Sequence, residues 1–154
     1  MATLVVVSCG RRKIWDSAPN TGPTAAKNVY QGSPFKVNRE YAETCGDRWV
    51  ILSAKYGLIG PDFEIPSNYD VTFSDPLTKP ISVADLVRQV REMGPHRFDK
   101  VIVLGGAHYS ERVSKAFAAT DCEIVSPRAG LRTGNANAKV KEMTARCRQK
   151  GTAS

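Results

Sequence analysis

Four short runs of apolar, mostly β-branched residues divide the chain. They cover residues 4–9, 49–53, 101–104 and 122–126. Runs of this length, without alternating polar residues, are typical of parallel strands that are covered on both faces. We therefore expect these four segments to be the parallel strands of a central sheet.

Apolar residues recur between the strands at the spacing of one helix face. Three such faces are Val83, Leu86, Val87 and Val90; Val113, Ala116 and Phe117; and Val140, Met143, Thr144 and Cys147. Helix start signals agree with an alternation of strands and helices: Ser33 precedes a proline, Ser82 has Asp85 three residues on, and Ser110 precedes Glu111. The pattern predicts alternating strands and helices.

This alternation predicts an α/β fold: a three-layer, open, mostly parallel sheet of about four to five strands with helices on both faces. The 154 residues suit one domain, which we place at residues 1–150, followed by a disordered tail at 151–154. Two segments rich in turn-forming residues, 10–32 and 60–80, are predicted to be irregular. Both follow predicted strands, so we expect them at the carboxyl edge of the sheet, where open α/β folds bind ligands.

The charge balance favours an anionic partner. Lys and Arg total 22 against 15 Asp and Glu, a formal net charge of +7. Beyond residue 123, the only acid is Glu142. This imbalance predicts that a basic terminal helix lies along a nucleic-acid backbone, although a solvated helix face would look the same. The predicted backbone contacts are Arg128, Arg132, Lys139 and Lys141.

The four cysteines lie far apart and form no C-x-x-C pair, so we expect no zinc site and no other metal or cofactor. No apolar run approaches the roughly 20 residues that a membrane span needs. The amino terminus also lacks the pattern of a signal peptide. We therefore expect a cytoplasmic protein whose cysteines are thiols.

Candidate ligand-binding groups follow each of the first two predicted strands. Ser8 and Cys9 end the first strand, and Lys13 belongs to the basic triplet behind it. The alternatives to ligand binding are a thiol that only packs in the core and a basic loop that is only solvated. Ser53 ends the second strand, and Lys55 and Tyr56 follow it. A lysine at a sheet edge can hold a phosphate or carboxylate as a point charge, or it can simply be exposed above a turn.

The third strand and the second long segment add further candidates. Gly105 and Gly106 would let the backbone approach a ligand beside His108, at a helix N-terminus that favours anions. Asp70, next to Tyr69, is the candidate general base or charge stabiliser, with an Asx turn or a helix cap as the structural alternative. Arg39, on the helix after Pro34, could bind substrate or form an ordinary salt bridge.

Several segments resemble a family of small uncharacterised bacterial and phage domains. The matches are the strand end at residues 8–13, the helix start at 30–42, the stretch ILSAKYGLI at 51–59 and Asn68-Tyr69-Asp70. The ILSAKYGLI stretch is the specific part. That family is distantly similar to the peroxide-stress DNA-binding proteins and to the glycosylase-like core of archaeosine synthases. The resemblance implies a role on nucleobases or nucleic acid. In place of the glycine-rich opening usual for the last helix of such domains, this chain has residues 130–135, GLRTGN.

We therefore expect an enzyme that acts at the N-glycosidic bond of a nucleotide or of a base in nucleic acid. Its catalytic residues would be Asp70, Tyr69 and Lys55. One alternative is a module that binds nucleic acid without turnover, and another is a sensor of nucleotide phosphate. The predicted substrate-binding residues are Ser8, Cys9, Lys13, Ser53, Tyr56, Gly105, Gly106, His108 and Arg39.

Overall fold

A computed structural model describes residues 2–152 of the chain. Its central sheet has five strands in the order β4-β3-β1-β6-β7. The parallel strands are β1 (Ala2–Ser8), β3 (Arg48–Ser53), β6 (Phe98–Leu104) and β7 (Glu123–Val125). Strand β4 (Gly57–Ile59) runs antiparallel to β3 at one edge. The four predicted strands are thus confirmed, and the fifth completes a tight hairpin after β3.

Helices cover both faces of this sheet. On one face lie α3 (Ser33–Cys45) and α6 (Thr133–Thr152), and on the other lie α4 (Val83–Met93) and α5 (Ala107–Ala116). Successive residues of a strand point to opposite faces, so β1 contributes Val5 and Val7 to one core and Leu4 and Val6 to the other. The predicted three-layer α/β architecture is confirmed.

The two long segments contain short elements that their composition did not predict. The first holds α1 (Ile14–Ser17), β2 (Thr24–Ala25) and α2 (Ala26–Val29), and the second holds β5 (Glu64–Ile65) and a 3-10 turn (Pro76–Thr78). Strands β2 and β5 pair antiparallel, with Thr24 opposite Ile65. The prediction of wholly irregular segments was therefore wrong. Each of these elements is too short to show a periodicity.

Helix boundaries agree with the start signals only in part. Ser82 caps α4, because its Oγ accepts a hydrogen bond from the Asp85 N–H at 3.1 Å. Helix α5 instead begins at Ala107 with Gly106 as its N-cap, so Ser110 lies inside the helix and the predicted cap was wrong. At the carboxyl end, α6 continues to Thr152. The predicted tail thus begins as helix, and residues 153–154 lie outside the described part.

A disulfide joins the two helices of one face. Cys45 at the end of α3 is bonded to Cys147 of α6, with their Cα atoms 5.8 Å apart. The expectation that all four cysteines are thiols is therefore wrong for this pair, while Cys9 and Cys122 are free. Helices α3 and α6 pack side by side and run in the same direction, because the start of α3 lies near the start of α6 and Cys45 at its end meets Cys147. This packing brings together two cysteines that are 102 positions apart in the sequence. Among the described residues, no helix is both long enough and apolar enough to cross a membrane.

Candidate functional site

The carboxyl ends of β1, β3 and β6 meet at one edge of the sheet. Ser8 pairs in register with Leu52, and the Cys9 N–H donates to the Leu52 carbonyl at 3.1 Å. On the other side, a Cβ added to Gly105 would lie 2.7 Å from the Ser8 Cβ, so only glycine fits there. The ends of β1, β3 and β6 thus meet, as parallel strands of an open sheet require.

A cavity of about 460 Å³ opens beside this edge. Volumes in this range are common for sites that bind small molecules. The segments after β1 and β5 form most of its wall, and α5 contributes one tyrosine. The lining residues are Cys9, Gly10, Arg11, Lys13, Tyr69, Asp70, Val71, Thr72, Asp75, Thr78 and Tyr109.

Lys13 places a buried ammonium in the wall of this cavity. Its backbone N–H donates to Asp16 at 2.8 Å, which fixes the start of α1 and, with Asn68, lowers the pKa of the Asp16 carboxyl. The side chain is only 8% exposed. Its Nζ donates to the Arg11 carbonyl at 3.3 Å and lies 4.5 Å from the centre of the Tyr69 ring. No described carboxylate forms an ion pair with it.

Tyr69 is held by a chain of buried hydroxyls. The Ser53 Oγ accepts hydrogen bonds from the N–H groups of Lys55 and Tyr56, each at 3.2 Å. Its own proton is therefore free to go to the Tyr69 hydroxyl, 2.9 Å away. The Tyr69 hydroxyl in turn lies 2.5 Å from that of Tyr30. Burial raises the pKa of both tyrosines, so both stay neutral in the neutral pH range.

Cys9 and Tyr109 form a second polar pair in the cavity wall. The Tyr109 hydroxyl donates to the Cys9 carbonyl at 3.3 Å, and its oxygen is 3.3 Å from the Cys9 Sγ. Because the tyrosine proton goes to the carbonyl, the thiol is the donor of the second contact. Cys9 thus serves as a hydrogen-bonding group of the cavity wall in this arrangement. Burial and the nearby Cys9 raise the pKa of Tyr109.

Asp70 is an exposed carboxylate at the mouth of the same cavity. Within the described part of the chain it has neither a hydrogen-bond partner nor an ion-pair partner. A carboxylate used for an Asx turn or a helix cap would accept a backbone N–H, as Asp75 does from Leu77 at 3.0 Å. The contacts therefore do not favour the structural alternative for Asp70.

Other predicted site residues lie near the cavity without lining it. Tyr56 packs edge-on against Tyr69, with ring centres 5.7 Å apart. The Lys55 Nζ is 5.3 Å from the Tyr56 ring centre, on the exposed side of this pair. Ser53 is fully buried, and its hydroxyl is occupied as described above. His108 is exposed in the first turn of α5. Of the predicted set, Cys9, Lys13, Tyr69 and Asp70 line the cavity.

Ser8, Gly105 and Gly106 line a second, smaller cavity of about 180 Å³. Arg128 also lines it, which departs from its expected place on an exposed helix. It precedes α6, is 9% exposed, and donates to Asn38 Oδ1 at 2.9 Å and to Asn137 Oδ1 at 2.7 Å. The sequence suggested the helix because Arg128 is close in the chain to the other cations, but its side chain points inward between α3 and α6.

The remaining cationic candidates lie away from both cavities or on the exposed surface. Arg39 is engaged on α3, where it pairs with Glu43 at 2.9 Å and donates to the Lys27 carbonyl at 2.7 Å. The structure therefore does not bring it to the predicted site, and the salt-bridge alternative describes it. Arg132, Lys139 and Lys141 are exposed at the start and along the outside of α6.

Sequence reasoning missed the last stretch of the cavity wall, which comes from Thr72, Asp75 and Thr78. These residues form a compact turn, in which Thr72 N–H donates to Thr78 Oγ1 at 3.0 Å. Asp75 precedes Pro76, and an acidic residue before a proline is a common start signal for a helical turn. That signal could have identified the turn, but only the fold back over the sheet edge places it in the cavity.

The fold and its polar edge define an α/β domain with a ligand-sized cavity at the carboxyl ends of its parallel strands. The chain belongs to DUF6884, a family of unknown function, which it matches over residues 4–142. It is 38% identical over 109 residues to the uncharacterized protein YfjM of Bacillus subtilis (strain 168), covering 71% of this chain and 73% of that protein.

A structural comparison finds AF0587, a protein of unknown function that is known from a crystal structure. The similarity has a TM-score of 0.47 at 15% sequence identity, and it covers 92% of this chain and 44% of AF0587. This chain therefore spans less than half the length of that protein.

Proposed function

We propose that this protein is a nucleobase-directed enzyme that hydrolyses an N-glycosidic bond of a nucleotide or of a base in nucleic acid. The observation that carries the proposal is the pair of opposite charges in the larger cavity. Lys13 offers a buried ammonium and Asp70 an exposed carboxylate, and neither is ion-paired within the described residues. Charges held this way are available to a ligand that carries both a phosphate and a developing positive centre.

In the proposed reaction the Asp70 carboxylate acts at the anomeric carbon of the sugar. As the C–N bond breaks, its electron pair leaves with the base, and the anomeric carbon acquires positive charge. Asp70 would stabilise that charge and accept a proton from the water whose oxygen bonds to the carbon. The base nitrogen takes up a proton from solvent, and Asp70 returns its own proton to solvent, which regenerates the carboxylate. Within this scheme no other reactant is consumed, so one water yields the free base and the sugar.

The cations and the aromatic side chains would position the substrate. Lys13 and the neighbouring Arg11 suit a phosphate, because ammonium and guanidinium groups form short, strong hydrogen bonds to its oxygens. Tyr69 and Tyr109 present aromatic surface to the same cavity, and stacking on such rings tolerates different bases. Lys55 would act from outside, through its contacts with the Tyr56 and Tyr69 rings. A cytoplasmic location is part of this proposal.

The test is release of free base. The full chain is incubated with nucleoside 5′-monophosphates and with DNA and RNA oligonucleotides that carry ordinary and modified bases, and free base is measured by mass spectrometry. Release that depends on Asp70 supports the proposal. Absence of release from every substrate would favour the second candidate, a module that binds nucleic acid without turnover. The observation that favours this candidate is the exposure of three cations, Arg132 just before α6 and Lys139 and Lys141 on it.

A further inference from the structure

The second cavity contains a buried positive charge with no counter-ion. Arg128 is 9% exposed, and the partners of its guanidinium are the neutral amide oxygens of Asn38 and Asn137. No described carboxylate pairs with it, and none of the residues lining the cavity is acidic. Burying a charge without a counter-charge is costly, and desolvation lowers the pKa of Arg128. A ligand of opposite charge would remove that cost.

The guanidinium is held firmly in one orientation. Asn38 Nδ2 donates to the Leu104 carbonyl at the end of β6, at 3.3 Å, which turns Asn38 Oδ1 towards Arg128. Asn137 fixes a second nitrogen from α6. Two bonds use two of the five N–H donors of an arginine, so three remain for a ligand. A donor group fixed before binding loses little entropy when the ligand arrives.

Two helix N-termini meet the same cavity. Helix α5 starts after Gly106, which has no side chain to cap it. Helix α6 starts after Arg132, whose carbonyl accepts a hydrogen bond from the Ala136 N–H. The Arg132 side chain has no acceptor atom, so it cannot cap the first N–H groups of the helix. The first turns of both helices therefore keep free N–H donors and the positive end of the helix dipole. Thr133 adds a hydroxyl to the lining.

We propose that this second cavity is a phosphate-binding site, in which Arg128 and the N-termini of α5 and α6 hold a phosphoryl group. Tetrahedral oxyanions suit a site that offers a planar guanidinium fork together with backbone N–H groups. The site stands on Arg128 and the two helices, and does not depend on the reaction proposed for the larger cavity. Free phosphate and the phosphoryl group of a nucleotide present the same chemistry here.

The first test uses the unaltered full chain. Inorganic phosphate is titrated into ¹⁵N-labelled protein, and amide and arginine resonances are followed by NMR. The proposal expects saturable shifts of the amides of Ala107, His108 and Gly134 and of the Arg128 Nε–H. Shifts confined to Arg11 and Lys13, or no saturable shifts, would overturn it.

Parallel titrations with a nucleoside 5′-monophosphate and with the nucleoside distinguish the source of the phosphoryl group. Tighter binding of the nucleotide than of inorganic phosphate assigns the site to a nucleotide phosphoryl group. Equal or weaker binding of the nucleotide assigns it to free phosphate.

The second test compares two arginines. Arg128→Gln should weaken phosphate binding by about tenfold or more, the usual worth of a hydrogen bond to a charged group. Arg132→Gln removes the same charge from an exposed position outside the cavity lining and should change affinity much less. Equal effects of the two substitutions would contradict the proposal.

A third variant covers the case in which Arg128→Gln does not fold. Gly106 has an ordinary negative φ of −76°, and an added Cβ there meets no protein atom within 4 Å. Gly106→Val should therefore fold while it crowds the lining of the cavity. We expect it to lose phosphate binding and to keep a cooperative unfolding transition. Undiminished phosphate binding by Gly106→Val would count against the site.

Discussion

The Lys13 ammonium lies over the Tyr69 ring, with Nζ 4.5 Å from the ring centre. This contact links the segment after β1 to the segment after β5, so it joins two parts of the cavity wall. The attraction between a cation and a ring face compensates part of the cost of burying the ammonium. No described carboxylate pairs with Lys13, so the rest of that cost lowers the stability of the folded chain. An anionic ligand that pairs with the ammonium would relieve it.

Replacing Lys13 should therefore lower substrate affinity without lowering the free energy of unfolding. We expect Lys13→Met to keep the packing of the aliphatic stem and to leave the free energy of unfolding equal or higher by about 1 kcal/mol, because an unpaired buried charge is removed. Affinity for a phosphate-bearing substrate should fall. Urea unfolding and substrate titration measure the two effects. The exposed Lys55→Met is the control, with a stability change within about 0.5 kcal/mol. A clear loss of stability in Lys13→Met would show that the ammonium is structural.

Asp70→Asn should abolish most turnover without affecting folding. The amide keeps the size of the side chain but removes its charge, so base release should fall by about 10²–10³-fold. The melting temperature should stay nearly constant, since Asp70 has no partner among the described residues. Asp75→Asn is the matched control in the same cavity wall, and its oxygen can still cap the turn at Leu77. Equal activity loss in both variants would point to general disturbance of the wall.

Stability should fall steeply at alkaline pH. Burial raises the pKa values of Tyr30, Tyr69 and Tyr109 above the ordinary value of 10.0. Above pH 10 the unfolded chain therefore loses tyrosine protons that the folded chain keeps, so the free energy of unfolding decreases as pH rises. The slope is about 1.4 kcal/mol per pH unit for each of the three tyrosines. Below pH 10 they contribute no slope.

Urea unfolding at closely spaced pH values measures this slope. In Tyr30→Phe one of the three groups is absent, so the decline above pH 10 should be shallower by about 1.4 kcal/mol per pH unit. Between pH 7 and pH 9 the variant and the original protein should run parallel. An unchanged alkaline slope would mean that Tyr30 ionises as readily in the folded chain as in the unfolded one.

The disulfide between Cys45 and Cys147 should contribute strongly to stability. It closes a loop with a sequence separation of 102 residues, and loops of this length correspond to about 2–5 kcal/mol. Reduction should lower the free energy of unfolding by that amount. The double variant Cys45→Ser with Cys147→Ser should already be destabilised, and reducing agent should not change it further. Equal unfolding curves with and without reducing agent for the unaltered protein would contradict the bond.

Nucleic-acid binding should depend on the exposed face of α6. If Lys139 and Lys141 neutralise phosphates, Lys139→Glu with Lys141→Glu should weaken binding and reduce the slope of log affinity against log salt by about 2. Fluorescence anisotropy of a labelled oligonucleotide at several salt concentrations measures both. Arg88→Glu with Arg91→Glu makes the same charge change on α4, on the opposite face of the sheet, and should have little effect. Similar slopes for the two double variants would assign no contact to α6.

The sequence was sufficient to predict the elements that have a local hydrophobic pattern. Runs such as residues 4–9 are apolar because both faces of the strand are covered, and that requirement can be read without knowing what covers them. The meeting of Ser8, Ser53 and Gly105 at one edge also followed, because parallel strands deliver their carboxyl ends to the same side. That Asp70 and Lys13 line the same cavity depends on how residues 60–80 fold back, which local pattern does not determine.

Tertiary structure alone decided the features that join distant parts of the chain. The pairing of β2 with β5, the bond between Cys45 and Cys147, and the inward turn of Arg128 each need two segments whose separation the local pattern does not encode. Local composition placed Arg128 among exposed cations, yet Asn38 and Asn137 provide hydrogen-bond acceptors for it between α3 and α6. Periodicity reports which side of an element is covered, because burial acts residue by residue. Which partner covers it depends on packing of the whole chain.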